Sequence, residues 1–236
     1  VPLVFGDTAD NIYTSFGNDI IQANGGDDNI NPGGGDDDVD AGSGNDTVLD
    51  GMGNDTVDGG ADNDKITLLT GENTVDGGTG SDYIRTGYKD DVIRGGDGND
   101  VISADSNAIF LFGNDQIEGG MGDDLMSGGA GADTFVFNPN DGSDTIAKFN
   151  ENNVAFNAVT GYSATPTGVE FESGIDKIVL DGFSGASEAS LFASAISSTG
   201  SGVQFSAQGT TILFYNLPEA QLSVDDFIFD NFVFVV

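Results

Sequence analysis

The chain has 236 residues, of which 40 are acidic and 6 are basic, so its formal net charge is −34. It contains 37 glycines and no cysteine, histidine or tryptophan. This composition excludes His–Cys zinc sites, Ser-His-Asp triads, Cys-His dyads and disulfides. It also argues against binding to nucleic acid or to anionic membranes, and no run of about 18 apolar residues predicts a membrane span. The first residue is not Met and no signal segment opens the chain, which indicates a fragment or a processed product.

The composition changes near residue 137. Residues 1–133 hold 28 of the 37 glycines and 28 of the 40 acidic residues, whereas residues 134–236 hold 13 of the 17 phenylalanines. The first part lacks large apolar side chains, and the second has enough of them for an ordinary core. We therefore predict two parts, residues 1–136 and residues 137–236, packed in continuity.

A nine-residue repeat fills the first part. Clean copies read AGSGNDTVL (41–49), GGTGSDYIR (77–85) and GGDGNDVIS (95–103). Of fourteen units, thirteen have Asp at the sixth position, eleven have Gly two residues earlier, and all fourteen have an apolar residue two residues later. The register is unbroken from Asp10 to Asp100 and then jumps by fifteen residues to Asp115.

This unit predicts an all-β stack of short strands and tight turns. A period of nine fits neither a heptad nor a helix, glycine-rich runs favour turns with positive φ, and the triplet around the apolar residue suits a very short strand. Two units would make one coil of about eighteen residues, and the coils would stack in parallel. One aliphatic side chain per unit is a thin core, and stacked aspartates repel one another. A cation is therefore required, and calcium, which takes six to eight oxygen ligands, fits best.

The units resemble the RTX nonapeptide G-G-x-G-x-D-x-U-x of secreted bacterial proteins. The resemblance covers residues 5–136. It implies a parallel β-roll in which each calcium lies between turns eighteen residues apart. One turn supplies the carbonyls of its second and fourth residues and its Asp, and the next supplies the carbonyls of its first and third residues and its own Asp.

Transferred to this chain, the resemblance implies at most twelve inter-turn calcium sites. One would use Gly42, Gly44, Asp46, Gly59, Ala61 and Asp64; a second would use Gly33, Gly35, Asp37, Asp55 and the carbonyls of Asp50 and Met52; a third would use Gly78, Gly80, Asp82, Gly95, Asp100 and the carbonyl of Asp97. The aspartates assigned to metal are Asp10, Asp19, Asp28, Asp37, Asp46, Asp55, Asp64, Asp82, Asp91, Asp100, Asp115, Asp124 and Asp133. The assigned glycines are Gly33, Gly35, Gly42, Gly44, Gly51, Gly53, Gly59, Gly78, Gly80, Gly95, Gly96 and Gly98.

Departures from the repeat concentrate on one of the two edges. The unit 68–76 has Asn73 in place of Asp, the unit 86–94 has Lys89 in place of Gly, and the inserted residues 104–109 fall on the same edge. We therefore expect weak or absent calcium binding at three places on this edge. They lie between the turns of Asp55 and Asn73, of Asn73 and Asp91, and of Asp91 and Asp115. The other edge has milder departures, at Thr8, Asn24 and Asp62, and should bind calcium well from Asp28 to Asp100.

The second part predicts mostly strands. Alternating apolar residues indicate strands near 134–138, 144–149, 169–172 and 176–180, a hairpin over 202–215 turning at Gln208–Gly209, and final strands at 224–229 and 232–236. Residues 187–197 predict a short amphipathic helix.

This part resembles the segment that follows the repeats in serralysin-type proteins. The matching stretches are GADTFVF (131–137), SDTIAKF (143–149), GIDKIVLDGF (174–183), GTTILFYNL (209–217) and LSVDDFIF (222–229). Residues 151–173 read as an insertion, which is either decoration or a specific surface. The apolar end after Asp230 resembles the C-terminal export signal of type I secretion substrates.

The favoured interpretation is a calcium-binding RTX module that folds after type I export and stabilises or chaperones an upstream passenger, outside the cell or on its surface. One alternative is a calcium-dependent polysaccharide-binding or adhesion module, with the loop 104–109 and the insertion 151–173 as candidate surfaces. Another is the non-catalytic tail of a secreted hydrolase or epimerase, whose catalysis would lie upstream of residue 1. The basic residues Lys65, Arg85, Lys89 and Arg94 are read as solvated surface, with a weak polyanion site as the alternative.

Overall fold

The computed structural model describes residues 2–105, 113–149, 154–157, 161–168, 175–185, 194–218, 221–230 and 233–234, together with Phe171 and Leu191. Within these residues the chain is all-β, with two large sheets and three small two-stranded sheets. None of the short helical segments in this described part has the length and hydrophobicity that crossing a bilayer requires.

The two large sheets face each other across the core. Sheet 1 consists, in spatial order, of β1 (Leu3–Val4), β3 (Ile20–Gln22), β5 (Asp38–Asp40), β7 (Thr56–Asp58), β9 (Thr74–Thr79), β11 (Val92–Asp97), β13 (Gln116–Met121), β15 (Thr134–Phe137), β21 (Lys177–Asp181) and β26 (Phe227–Asp230). Sheet 2 consists of β2 (Asn11–Tyr13), β4 (Asn29–Asn31), β6 (Thr47–Asp50), β8 (Lys65–Leu68), β10 (Tyr83–Arg85), β12 (Val101–Ser103), β14 (Leu125–Ser127), β16 (Ser143–Ile146), β25 (Thr210–Tyr215), β24 (Gly202–Ala207) and β23 (Ile196–Thr199). The small sheets pair β17 (Lys148–Phe149) with β20 (Pro166–Gly168), β18 (Ala155–Asn157) with β19 (Gly161–Ser163), and β22 (Ser184–Gly185) with β27 (Val233–Phe234).

Successive strands of the repeats alternate between the two sheets. Each pairs in parallel with the strand one coil away, so Ile12 lies opposite Ile30 and Val39 opposite Val57. The predicted parallel β-roll is confirmed. At the register jump, Val92 lies opposite Gln116, which shows that the extra residues are absorbed in a turn while the strand register is kept.

The core of the roll is the predicted file of apolar side chains, one per repeat. From Ile12 through Ile117 these side chains are at most 2% exposed. Beyond them the core changes character, because Phe135, Phe137 and Phe214 are also almost fully buried. Aromatic side chains bury far more area than Ile or Val, so each buried side chain of this kind contributes more apolar stabilisation than one in the roll.

The turns explain the glycine pattern. The second and fourth residues of the repeats have positive φ, as at Gly42 (105°) and Gly44 (123°), a conformation that residues with a Cβ rarely adopt. Three non-glycine residues occupy such positions, namely Asn24 at 67°, Asp62 at 76° and Lys89 at 83°. Asn and Asp tolerate this region best, so Lys89 is the most strained of the three.

The C-terminal part extends both sheets. The strand Lys177–Asp181 joins sheet 1, and the hairpin of β24 and β25 joins sheet 2, turning at Gln208–Gly209 as predicted. The strands predicted near 134–138, 144–149 and 176–180 are also present.

Of the remaining predictions for this part, one is wrong at one end and the others fall largely outside the described residues. The helix prediction over 187–197 is wrong at its C-terminal end, because Ile196 begins β23 and lies opposite Phe205. Most of that segment, most of the strand predicted at 169–172, the greater part of the loop 104–109, and much of 232–236 lie outside the described residues.

Candidate metal centres

The repeat aspartates form two ladders, one along each edge of the roll. In each ladder the Oδ1 atom of one Asp accepts a hydrogen bond from the backbone N–H of the Asp one coil earlier. Along the edge leading into sheet 2, Asp46 N donates to Asp64 and Asp64 N donates to Asp82, both at 2.7 Å. Along the other edge, Asp37 N donates to Asp55 at 2.9 Å. Each carboxylate that accepts such a bond is thereby held in one orientation at a fixed height on the stack.

The second carboxylate oxygen of many of these residues is buried and accepts no hydrogen bond from the described residues. This holds for the Oδ2 atoms of Asp28, Asp46, Asp64, Asp82, Asp91, Asp100, Asp115, Asp124 and Asp144. A buried acceptor without a partner is costly and calls for an explanation, of which an ion is one. A row of such oxygens at coil spacing fits a row of cations.

Burial makes the charged form of these carboxylates unfavourable. Loss of hydration, joined by repulsion from Asp82 and Asp46, raises the pKa of Asp64 to about 9. Burial, with repulsion from Asp100, similarly raises the pKa of Asp82 to about 8. A bound cation would reverse both effects, because it replaces the lost hydration and cancels the repulsion.

The first glycine of the repeat keeps space open in front of the carboxylate. A Cβ atom at Gly59 would lie 2.8 Å from Asp64 Oδ2 and 2.6 Å from the carbonyl oxygen of Gly77. A Cβ atom at Gly77 would lie 2.6 Å from Asp82 Oδ2 and 2.5 Å from the carbonyl oxygen of Gly95. A carboxylate and the carbonyl of the next turn thus converge where glycine leaves room, in the combination that the repeat implies for a calcium site.

Each such centre draws on few carboxylates. Among the described residues, no group of three or more acidic side chains converges closely enough to hold a metal. Two carboxylates and several backbone carbonyls per ion are a ligand set suited to calcium, which accepts mixed oxygen ligands in flexible geometry. The residues present therefore fit calcium, and the bound ion would supply positive charge between the turns.

The side chains of Asn73 and Lys89, which replace the usual Asp and Gly, form contacts that differ from those of the regular repeat. The Oδ1 atom of Asn73 keeps the ladder contact with Asp55 N at 3.1 Å, while its Nδ2 donates to the carbonyl of Gly71 at 3.3 Å. Gly71 is the fourth residue of that turn, whose carbonyl the resemblance assigns to calcium. The Lys89 ammonium lies 3.7 Å from Glu72 in the same region. These contacts support the prediction of weak calcium binding around this turn, which stays a prediction.

Sequence reasoning missed two further rungs. Asp124 N donates to Asp144 Oδ1 and Asp133 N donates to Asp176 Oδ1, both at 3.1 Å, and both acceptors are buried. The ladders therefore continue into the C-terminal part. Each residue has Gly two residues before it and Ile two residues after it, which is the repeat signature, but gaps of 20 and 43 residues conceal it from a count of nines.

Asp105 was also missed as a candidate ligand. It is 6% exposed, its Oδ2 accepts a hydrogen bond from Gly113 N at 2.9 Å, and its charge acts on Asp115. It stands at the start of the inserted loop, on the edge where calcium binding is expected to be weak. The start of the insertion therefore places a buried carboxylate close to Asp115.

Comparison with known families agrees with this geometry. The family model for the RTX calcium-binding nonapeptide repeat matches residues 6–39, 32–66, 40–75, 76–108 and 111–135, which together exceed half of the chain. The chain belongs to this family. Its repeats are calcium-binding structural units.

The chain was also compared with solved structures and with curated proteins. Among solved structures, the extracellular lipase LipA from Serratia marcescens is similar with 16% sequence identity and a TM-score of 0.39. The match covers 97% of this chain but only 40% of the lipase. A search of curated proteins gave no match.

Proposed function

We propose that this chain is a calcium-triggered folding module of a secreted bacterial protein. It would leave the cell by type I export in an open form, fold on meeting extracellular calcium, and stabilise a passenger encoded upstream. The observation that carries the proposal is the row of buried, unpartnered Oδ2 atoms facing backbone carbonyls along the roll.

Electrostatic repulsion between the carboxylates is the reason why folding should depend on calcium. Without cations, the net charge of −34 and the stacked aspartates oppose the compact state. Sites that exist only in the folded chain convert the free energy of calcium binding into free energy of folding. Extracellular modules bind calcium at about 0.1–1 mM, far above cytosolic calcium levels, so such a module would stay open inside the cell and close outside it.

The test is far-UV circular dichroism of the whole chain during a titration from EDTA to about 10 mM calcium. We expect a cooperative gain of β signal that EDTA reverses, because many ions bind to the native state alone. Magnesium at the same concentration is the control. It prefers strict octahedral geometry and retains its water ligands, so it should restore little structure. An unchanged spectrum in EDTA would contradict the proposal.

Export needs a separate test. Deleting the residues after Asp230 should abolish release into the medium through a type I exporter while leaving calcium-induced folding of the purified chain nearly intact. Undiminished release of the truncated chain would contradict the proposed C-terminal export signal. It would leave the proposed calcium-induced folding unaffected.

A further inference from the structure

One stretch of sheet 2 is covered beside its calcium ladder. The residue that follows a ladder position lies on the outer face of its sheet, because side chains alternate along a strand. In sheet 1 this residue is exposed on every strand from β3 to β13. In sheet 2, by contrast, Tyr83, Val101 and Leu125 are only 5%, 2% and 8% exposed. These three residues directly follow the rungs Asp82, Asp100 and Asp124.

Part of the inserted segment provides this cover. Its strands β18 and β19 pair antiparallel, with Phe156 opposite Tyr162, and we call these two strands the strap. The centre of the Tyr162 ring lies 5.7 Å from that of Tyr83 and 4.8 Å from that of Phe156. A hollow of about 260 Å³ is lined by Tyr162 together with Val101 and Leu125. The strap is therefore held on the outer face of sheet 2 by aromatic contacts.

The strap also contacts a turn of the roll directly. Gly161 of β19 has a φ of 71°, and a Cβ atom on it would lie 2.0 Å from the Cβ atom of Ser81 and 2.9 Å from the Ser81 carbonyl oxygen. Glycine is what allows the two backbones to approach so closely. Ser81 directly precedes Asp82, and its Oγ accepts a hydrogen bond from Asn99 N at 3.1 Å. The strap thus lies on the turn that positions Asp82.

The turns beside the strap carry ladder carboxylates. Asp82 N donates to Asp100 Oδ1 at 2.7 Å, and the Oδ2 atoms of both residues are buried without a hydrogen bond from the described residues. Asp100 also lines the hollow of about 260 Å³ that Tyr162 borders. Burial, followed by the charges of Asp64 and Asp82, raises the pKa of Tyr162, so the phenol lies in the electrostatic field of the same ladder. An ion that leaves Asp100 through this hollow meets the strap.

We propose that the strap is a latch that retains calcium in the centres beside it, while ions on the opposite edge exchange faster. This inference rests on the proposed function, because it takes calcium to occupy the ladder. The strap packs on strands that calcium would order, so strap docking and calcium binding strengthen each other by the same factor. Release from these centres then waits for the strap to open, as ligand release waits for a lid. The module would keep part of its structure through a brief fall in calcium.

Two substitutions open the latch, and each has a matched control. Gly161→Ala places a methyl group against Ser81, and Tyr162→Ala removes both aromatic contacts. Gly200→Ala is the control for the first, because a Cβ atom there meets nothing within 4 Å. Tyr13→Ala is the control for the second, because Tyr13 belongs to sheet 2 and is 69% exposed.

The experiment is stopped-flow mixing of the calcium-loaded whole chain with excess Quin-2, a chelator that fluoresces when it binds calcium. We expect the wild type to release its ions in a fast phase and a slow phase, the slow one from the centres beside the strap. Gly161→Ala and Tyr162→Ala should each accelerate the slow phase roughly tenfold or more, the factor that loss of two aromatic contacts implies. The number of ions released and the β signal at saturating calcium should not change. Both control variants should release calcium as the wild type does.

A second-site change separates the latch from general destabilisation. Ser81→Gly removes the Cβ atom that the methyl group of Gly161→Ala would meet, so the double variant Ser81→Gly/Gly161→Ala should recover much of the slow phase. The proposal is overturned if Gly161→Ala and Tyr162→Ala release calcium at the wild-type rate. It is also overturned if the two control variants accelerate release to the same extent.

Far-UV circular dichroism distinguishes this failure from failure of the proposed function. A chain that folds with calcium but releases every ion in one phase, unaffected by the strap variants, overturns the latch alone. A chain whose β signal does not respond to calcium overturns the proposed function and the latch with it.

Discussion

The roll and the C-terminal part share the same two sheets and are stabilised by different physics. In the roll, most nine-residue units bury one aliphatic side chain and one carboxylate, such as Asp46 or Asp64. In the C-terminal part, Phe171, Phe205, Phe214 and Phe227 pack with ring centroids 5.0–6.3 Å apart. Under the proposed function, the first region needs its charge neutralised to be stable, whereas the second is stabilised by apolar burial.

This contrast assigns a role to each region. A structure built of repeats propagates from coil to coil and needs a fixed end. The strands Lys177–Asp181 and Thr210–Tyr215 provide one by pairing with β15 and β16 and covering that end of the roll with an aromatic core. We expect the C-terminal part to be the nucleus from which the roll orders when calcium is added.

The largest effect of a single substitution is expected in the aromatic core. Phe214→Ala should lower the free energy of unfolding by about 3–5 kcal/mol, because it leaves a cavity among large buried side chains. The neighbouring Leu213, which points to the partly exposed face of the same strand, provides the control Leu213→Ala. Urea unfolding at saturating calcium measures both. Equal losses of unfolding free energy in the two variants would contradict the difference between the two regions, since they would mean that the aromatic packing contributes little.

In the roll, replacing a buried aspartate of a ladder should lower the stability more than replacing an exposed aspartate next to it. Asp64→Asn removes a buried carboxylate that faces two adjacent centres and should cost about 1–3 kcal/mol at a fixed calcium concentration. Asp62→Asn makes the same change of charge two residues away on an exposed side chain and is the matched control. The calcium midpoint by circular dichroism should rise for the first variant only. A similar rise for both would show that total charge, and not the ladder, controls folding.

Acidification should partly replace calcium. Burial and mutual repulsion raise the pKa of Asp64 and Asp115 to about 9 and that of Asp46 to about 7, so the calcium-free folded roll binds more protons than the unfolded chain. Its stability is therefore greatest below the ordinary Asp pKa of 3.8 and is lost as the pH rises through about 7–9. In EDTA, the β signal should be stronger at about pH 5 than at about pH 9. A stronger signal at the alkaline end would contradict the buried ladders.

The smallest effect is expected where the ladder is interrupted. Asn73→Asp restores the carboxylate and removes the amide that now donates to Gly71. It should increase the number of bound calcium ions in a calorimetric titration and lower the calcium midpoint slightly. An unchanged ion count would mean that the turn at Asn73 already binds calcium or that Lys89 prevents binding by itself.

The sequence predicted the roll almost completely, because every unit encodes both a turn and a strand. Gly42 and Gly44 mark positive φ, and Ile or Val marks the inward position. It did not predict Asp144 and Asp176 as rungs, since their coils are closed by longer connections. It also could not place Tyr162 on Tyr83, because that contact depends on how the insertion folds back across sheet 2.

The most direct test of the account is hydrogen–deuterium exchange of the whole chain, compared peptide by peptide in calcium and in EDTA. We predict that amides from Ile21 to Ile117 are protected in calcium and lose that protection in EDTA, while the hairpin Gly202–Tyr215 keeps a substantial part of its own. If the roll amides stay equally protected in EDTA, calcium does not stabilise the roll and the central claim is wrong.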